Sequence, residues 1–371
     1  MNITKACMLI ICCYAIITSC TVPNDKPTVI AYRIYPSLTI SNNTIDSIMI
    51  CAISDVDFLN DGSIAILDRS SAQAYVFSQQ GQYLNSIGTF GNGPGELYSP
   101  DCLVPLDDDS LLIFDSSAQR ISLYRNNGAY IESVNVTNVS QFPKWCKYAG
   151  NNNVIGSILL NHSDAMTEYY YAVCRFNRNM QIIDTLFTNN TQVDFTDITT
   201  TLNTTVYSTA FTCDTTGNVM VSPISCSARA VDLITSNGLL SHIISEEIPE
   251  CRKSEQDLNA ERERMNLVLQ SRNNRAVMEY EPCECYYAIT PQGLHADNQT
   301  RIWILDGTHR HPIFRVYDYS GNLLFTVEIC GLSESDTVDV LWWCISDYGI
   351  LAFSIDPVNE PEVFVFKHDQ Y

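Results

Sequence analysis

The sequence has few positive charges and few histidines. Its 371 residues include 21 Lys and Arg against 42 Asp and Glu, which gives a formal net charge of −21 at pH 7. Non-specific binding to nucleic acids depends on clustered Lys and Arg, so this composition argues against a nucleic acid partner. With six His in the whole chain, a zinc site built from several histidines has little material to draw on.

Beyond the N-terminus, no hydrophobic run approaches the length of a membrane-spanning helix. At the N-terminus, Lys5 precedes an apolar run, Ala6–Ile17, that is itself too short to span a bilayer. This order is typical of a signal peptide, which we assign to residues 1–19. The run ends in Ile17-Thr18-Ser19-Cys20, which resembles the bacterial lipobox, where small residues precede a lipidated Cys.

The lipobox resemblance implies that the mature chain begins at Cys20 and carries acyl chains there. More than one chain is needed for stable anchoring. Residues 20–28, which include Pro23 and Pro27, would then tether the lipid to the folded domain. We therefore expect a protein attached to the outer membrane by lipid alone, on either its periplasmic or its outer side.

A repeat in the following sequence predicts the fold. The segment Asp68–Leu84 reads again in register at Asp115–Ile131, 47 residues later. In each copy a strand-like run ends in Asp, and a second run meets a turn at Gly81 or Gly128. Repeats of about 40 to 50 residues with several short strands are typical of a β-propeller.

Strand and turn signals continue at similar intervals and predict four more blades, at residues 170–183, 214–238, 294–322 and 342–366. The last blade is one strand short, and we expect Val29–Ile34 to supply it from the N-terminal side. Such closure leaves no open sheet edge. Residues 29–371 are therefore predicted to form an all-β, six-bladed β-propeller.

A helical insertion at about 252–278 is predicted between blades four and five. Ser254 followed by Asp257 is typical of a helix start, and the next stretch lacks Gly and Pro. Apolar residues recur there near helical spacing, which predicts an amphipathic helix. Its cations, which include Arg262 and Arg272, either lie on a solvated face balanced by neighbouring Glu or form a cationic lip that contacts an anionic ligand.

Two segments resemble a known family. Asp68–Leu84 and the glycine-rich Gly88–Leu97 are similar to an NHL-type repeat and its link between blades, and 294–306 is similar again. Together with the lipobox, the chain resembles the six-bladed, TolB-like propeller lipoproteins of Bacteroidetes. The resemblance implies the fold and a binding or assembly role, although a propeller fold alone does not define function.

The same resemblance extends to six-bladed propellers that include metal-dependent lactonases and lyases, whose ligands surround the central channel. His295 lies on a predicted innermost strand, but one inner His does not make a zinc site. A calcium site would need carboxylates from several blades, and these are equally explained as turn residues that bond their own backbone. The carboxylates near predicted first strands are Asp55, Asp57, Asp101, Asp214 and Asp297. No cofactor is predicted, and calcium is the open alternative.

Aromatic residues favour binding. Flat, amphipathic rings suit sugar rings and peptide side chains, although strand packing explains them equally well. The candidate ligand-binding residues are His295, Arg262, Arg272, Trp145 and Tyr286. Our leading hypothesis is a lipid-tethered binding or assembly module for a glycan, a peptide or a partner envelope protein. The alternatives are a metal-dependent propeller hydrolase or lyase and a purely structural envelope scaffold.

The cysteines cannot all pair, because eleven follow Cys20 and this number is odd. No Cys-x-x-Cys occurs, which argues against a structural zinc site of the finger type. Cys283 and Cys285 form a Cys-x-Cys, while Cys330 and Cys344 flank the last segment between blades. Either set is a candidate for a disulfide.

Overall fold

The computed structural model describes residues 29–43, 48–136, 142–161, 169–192, 209–272, 280–307, 311–332, 341–354 and 360–368. Within these residues, 25 strands form six sheets, accompanied by one α-helix, α1 (Glu255–Arg272). No helix in this part of the chain is long and apolar enough to span a membrane.

Five blades consist of four consecutive antiparallel strands each. Blade one contains β3 (Ile53–Phe58), β4 (Ile64–Asp68), β5 (Gln73–Phe77) and β6 (Tyr83–Ile87). Blade two contains β7 (Cys102–Leu106), β8 (Ser110–Asp115), β9 (Arg120–Arg125) and β10 (Tyr130–Asn135). Blade three contains β11 (Lys144–Tyr148), β12 (Val154–Asn161), β13 (Tyr169–Phe176) and β14 (Ile182–Gln192). Blade four contains β15 (Thr209–Cys213), β16 (Val219–Pro223), β17 (Ala228–Ile234) and β18 (Leu240–Glu247). Blade five contains β19 (Ile289–Ala296), β20 (Arg301–Asp306), β21 (Ile313–Asp318) and β22 (Leu323–Ile329).

The sixth blade combines the two ends of the chain. It contains β23 (Leu341–Ser346), β24 (Gly349–Ser354) and β25 (Glu362–Lys367), and its outer strand is β2 (Leu38–Ser41). In every blade the first strand is innermost, and the six inner strands contact one another in sequence until β23 meets β3. The predicted six-bladed propeller, closed by an N-terminal strand, is confirmed.

The prediction that Val29–Ile34 completes the last blade was wrong. The strand that pairs with β25 is β2. Instead, β1 (Ile30–Ile34) runs parallel to β22 and adds a fifth strand to blade five. The two strands differ in the core that their buried isoleucine enters, since Ile34 packs between blades five and six. Ile40 of β2 packs in the core between blades six and one, whereas Ile34 is the one fully buried residue of β1.

Apolar side chains fill the interfaces between neighbouring blades. Trp303 of blade five and Trp343 of blade six share one such cluster, with Phe314 between them at a ring distance of 5.1 Å from Trp343. Comparable clusters lie between the other blade pairs. Burial of apolar surface between blades therefore stabilises the ring at each of its joints.

The Asp that ends the second strand of the repeat is a structural latch. The Asp68 carboxylate accepts hydrogen bonds from the backbone N–H groups of Cys51 (2.8 Å) and Ala52 (3.1 Å). In the next blade, Asp115 likewise accepts from Tyr98 (2.6 Å) and Ser99 (3.1 Å). Both Asp side chains are fully buried, so each holds the connection that leads into its own blade's innermost strand.

The predicted helix is confirmed in its position and its start. The Ser254 hydroxyl accepts a hydrogen bond from the Asp257 N–H (3.2 Å) and donates one to the Asp257 carboxylate (2.6 Å), which is a helix cap. The predicted amphipathic character was wrong, because α1 has almost no segregated apolar face. Charged residues such as Glu261 and Arg264 interrupt the apolar positions around the helix.

Candidate functional site in the central channel

The innermost strands of all six blades carry ionisable side chains that influence one another electrostatically. These are Asp55 and Asp57 from β3, Cys102 from β7, Lys147 from β11, Cys213 from β15, His295 from β19 and Cys344 from β23. We call this set the axial cluster. Perturbed ionisable groups of this kind are where functional sites concentrate, although structural networks perturb them too.

Asp57 and Cys344 join the first blade to the last. The Cys344 thiol donates a hydrogen bond to Asp57 Oδ1 at 2.9 Å, and the same oxygen accepts the Phe58 N–H at 2.7 Å. Burial raises the pKa of Asp57, and the thiol hydrogen bond opposes that rise. Burial and the neighbouring carboxylate raise the pKa of Cys344 well above its usual value, so this sulfur stays protonated and donates.

Asp55 joins the first blade to the second. Its Oδ2 accepts the Leu103 N–H at 2.9 Å and its Oδ1 accepts the Val56 N–H at 3.0 Å. Burial raises the pKa of Asp55 to about 7, the charge of Asp57 adds to the rise, and the hydrogen bond from Leu103 opposes it. This carboxyl therefore exchanges its proton near neutral pH.

Lys147 is the cation of the axial cluster. Burial is the main cause of the raised pKa of Asp55, Asp57, Cys213 and Cys344, and the Lys147 ammonium opposes it in all four. One side chain from blade three thus acts electrostatically on blades one, four and six. It supplies a positive charge near two partly buried carboxylates.

His295 lies on the innermost strand of blade five, as predicted, but it does not present an imidazolium. The side chain is 3% exposed and its ring packs 6.2 Å from the ring of Phe314. Burial and the charge of Lys147 lower its pKa well below the usual value. Its Nε2 has no hydrogen-bond partner among the described residues, so it is a buried neutral ring with one unused polar atom.

The buried thiols are poorly suited to nucleophilic chemistry. Burial raises the pKa of Cys213 to about 12, and its sulfur donates to the Tyr148 carbonyl at 3.3 Å. Cys102 is also buried, beside Cys146 in the core between blades two and three. Because the thiolate is the reactive form, these protonated sulfurs are inert at neutral pH.

The carboxylates considered as calcium ligands do not converge. Asp101 lies 3.0 Å from the Lys144 ammonium, whereas Asp214 and Asp297 accept backbone N–H groups of their own turns, such as those of Thr216 and Gln299 (both 2.9 Å). Across the described ranges, no three His, Cys, Asp or Glu side chains are grouped in a way that would hold a metal ion. Of the five, Asp55 and Asp57 alone belong to the axial cluster.

The predicted ligand-binding residues lie in separate places. Trp145 is half-buried against the core between blades three and four, with a backbone φ of 50°. Tyr286 is buried on the segment that returns from α1 to β19, and Arg262 pairs with Glu281 at 2.9 Å. Arg272 is the last residue of α1, and its side chain lies outside the described residues, as does Cys20. Their binding roles stay predictions.

The insertion has a polar core that the sequence analysis missed. The Lys253 ammonium pairs with Glu261, and their side chains are 2% and 13% exposed. The Tyr280 hydroxyl donates to Glu261 at 3.2 Å, and Lys253 Nζ lies 5.4 Å from the centroid of the Tyr286 ring. With Arg262 paired as well, these cations of the predicted lip are engaged within the insertion. The Glu residues spaced along the helix were the sequence feature from which these ion pairs could have been predicted.

One cavity of about 250 Å³ lies away from the axial cluster, between the outer strands of blades three and four. Its lining includes Phe187, Val221, Asp232 and Leu240. It is mostly apolar and open, and the candidate residues named above do not reach it.

A protein family described as a domain of unknown function, DUF4934, matches residues 43–220, slightly less than half of the chain. No curated protein sequence matches the chain.

Solved structures share the fold at low sequence identity. A Bacteroides fragilis protein described as exported is 12% identical with a TM-score of 0.47, and the alignment covers 92% of this chain and 99% of that one. Virginiamycin B lyase from Staphylococcus aureus is 10% identical with a TM-score of 0.44, covering 89% and 98%. The calcium-binding protein regucalcin from Agrobacterium tumefaciens is 9% identical with a TM-score of 0.47, covering 91% and 96%.

Proposed function

We propose that this chain is a cell-envelope protein, anchored to the outer membrane by lipid at Cys20, whose propeller binds a peptide or partner protein. The binding surface is the end of the channel where the insertion lies. The same surface favours a glycan ligand less than a peptide or protein.

The main support for the proposal is a set of exposed apolar side chains in the segments that connect one blade to the next. Phe90 and Tyr98 form a ring pair 5.7 Å apart and are 64% and 48% exposed. Met49 is 69% exposed and Leu267 of α1 is 43% exposed. All four stand in connections from an outermost strand to the next innermost strand, and such connections reach the ring at the same end of the channel.

Aromatic residues, Met and Arg are enriched at protein interfaces. Paired charges are present in the insertion, where Arg252 faces Glu284 at 3.5 Å and both side chains are more than 70% exposed. Loops held on a rigid scaffold commonly carry recognition. The mixture of apolar and paired charged groups favours a protein or peptide over an anionic sugar.

Binding is tested by capture from envelope extracts with the mature wild-type protein and with Phe90→Ala/Tyr98→Ala. The matched control is Leu239→Ala/Leu240→Ala, which removes another exposed apolar pair, at the start of the outer strand of blade four. We expect a captured protein that the control retains and the Phe90/Tyr98 variant loses. Equal capture by all three proteins, or binding to a glycan array alone, would contradict a protein partner.

Anchoring is tested separately with Cys20→Ala, using Cys51→Ala as the control because Cys51 is an exposed cysteine of the folded domain. We expect Cys20→Ala to fold and to leave the membrane fraction, while Cys51→Ala stays there. If Cys20→Ala still fractionates with membranes after high-salt washing, lipid attachment at Cys20 is wrong.

The second candidate function is a hydrolase or lyase that acts on lactones or polysaccharide. It is favoured by one observation, the Asp55 carboxyl with a pKa raised to about 7 by burial, which suits proton transfer near neutral pH. Turnover of a lactone panel by the wild type, lost in Asp55→Asn, would establish it. Equal rates for the two proteins would remove it.

A further inference from the structure

Two cysteines that are far apart in sequence meet where the insertion joins blade four. Cys226 lies in the connection between β16 and β17, and Cys283 lies on the segment that returns from α1 to β19. Their sulfur atoms are 3.6 Å apart, across 57 residues of sequence. Both side chains are partly exposed.

The backbone on both sides of this pair is fixed. The Ala288 N–H donates to the Ser225 carbonyl at 2.8 Å, which ties the returning segment to blade four next to Cys226. At the base of the insertion, the Lys253 N–H donates to the Glu284 carbonyl at 2.8 Å. A disulfide needs a sulfur separation of about 2.05 Å, so the two sulfur atoms must approach each other by about 1.5 Å from their present distance.

We propose that Cys226 and Cys283 form a disulfide in the mature protein and staple the insertion to blade four. This inference rests on the proposed export, because structural disulfides persist outside the reducing cytosol. Of the Cys-x-Cys pair, Cys283 is the partner. Cys285 is buried and forms a β-bridge with Arg252, and Cys226 approaches its carbonyl oxygen and not its sulfur.

The chemistry is a thiol–disulfide exchange with a protein disulfide oxidoreductase. Burial and the adjacent Cys283 raise the pKa of Cys226 to about 12, so we assign the first attack to the Cys283 thiolate. That thiolate attacks one sulfur of the oxidant's disulfide, and the Cys226 thiolate then displaces the oxidant from the mixed disulfide. Two electrons and the two thiol protons pass to the sulfurs of the oxidant, which leaves as a dithiol.

The bond is read directly by alkylating free thiols in intact cells before lysis and mapping tryptic peptides without reduction. Trypsin leaves Cys226 with Cys213 in one peptide, from Asn179 to Arg229, and Cys283 with Cys285 in another, from Ala276 to Arg301. We expect these two peptides to be linked, at a mass two hydrogen atoms below their sum, with Cys213 and Cys285 alkylated after denaturation.

Single variants identify the sulfurs. Cys226→Ser and Cys283→Ser should each abolish the linked peptide, while Cys285→Ser and Cys213→Ser should keep it. A link that survives in Cys283→Ser, or wild-type peptides in which Cys226 and Cys283 are both alkylated, would overturn the proposal. Because the map does not depend on a binding partner, failed capture with an intact bond would contradict the binding proposal alone.

Discussion

The Cys344 thiol donates a hydrogen bond to Asp57 Oδ1 across 2.9 Å and 287 residues of sequence. This bond joins the innermost strand of blade six to that of blade one, next to the axis. The hydrogen bond therefore closes the ring at its innermost strands, whereas the pairing of β2 with β25 closes it at the outer edge of blade six.

Cys344→Ala should destabilise the protein by about 1–3 kcal/mol, because it removes one of the two hydrogen bonds to Asp57 Oδ1 and leaves the Phe58 N–H as the remaining donor. Cys344→Ser is the matched control, since it keeps a donor of similar size and should recover much of the loss. Urea unfolding of the three proteins measures the difference. Equal stability of the Ala and Ser variants would mean that the hydrogen bond contributes nothing.

Asp55 should make the protein less stable as the pH rises. Its folded pKa of about 7 lies above the unfolded value, with burial as the main cause, so the folded state binds more protons between about pH 4 and pH 7. Stability from this group is full below the unfolded pKa and is lost as the pH rises through the folded pKa. Asp55→Asn, which keeps an acceptor for the Leu103 N–H, should therefore gain relative to the wild type with rising pH.

The measurement is the difference in unfolding free energy between Asp55→Asn and the wild type from pH 4.5 to pH 8. We expect the difference to change by a few kcal/mol at most, since one pKa unit corresponds to about 1.4 kcal/mol. Asp318→Asn is a contrasting control, because hydrogen bonds from Asn322 lower the pKa of that surface carboxyl. A flat difference curve for Asp55→Asn would contradict the raised pKa.

Asp115→Ala should release the connection that precedes β7. The carboxylate accepts three backbone N–H groups, from Tyr98, Ser99 and Ala118, and each loses its partner. We expect a loss of about 2–4 kcal/mol and faster hydrogen exchange at the Tyr98 and Ser99 amides. Glu132→Ala, an exposed acid on β10, should change neither quantity; unchanged exchange in Asp115→Ala would refute the latch.

Lys253→Met should destabilise the insertion by about 3–5 kcal/mol, because it leaves Glu261 enclosed without its cation. The double variant Lys253→Met/Glu261→Gln should recover part of the loss. Arg252→Ala is the control, since that residue forms an exposed ion pair of the kind that contributes little. Limited proteolysis and thermal unfolding distinguish the variants, and a Lys253→Met protein as resistant as Arg252→Ala would contradict the buried pair.

The Asp at the end of the second strand marks the blades that could be recognised as repeats in the sequence. The second strand ends in Asp in blades one, two and five, at Asp68, Asp115 and Asp306, and these blades resemble one another in sequence. In blade five the role differs, because Asp306 accepts from Arg229 (3.0 Å) and Arg315 (2.6 Å). In blades three, four and six the second strand ends without Asp, and those blades were predicted from strand and turn signals alone.

The sequence analysis placed Asp55, Asp57 and His295 on or near innermost strands, but the other members of the axial cluster were not predicted. Lys147 and Cys344 are single polar residues within short inner strands, and they leave no periodic signal. A shift of one residue in register turns a side chain to the other face of a sheet, so facing toward the axis could not be assigned. The N-terminal strand was misplaced for a related reason, since two strand-like runs flank Pro36 and their side-chain partners decide which one closes blade six.

The order of the two N-terminal strands has a mechanical consequence. A pulling force applied ahead of residue 30 first loads β1, which is held by its register with β22, by the Cys330 N–H to Ile34 carbonyl bond (2.8 Å) and by the Arg33–Glu328 ion pair (2.8 Å). Tension reaches β2 after β1 has detached. Because β2 is the strand that closes blade six, the detachment of β1 under force protects the ring from opening.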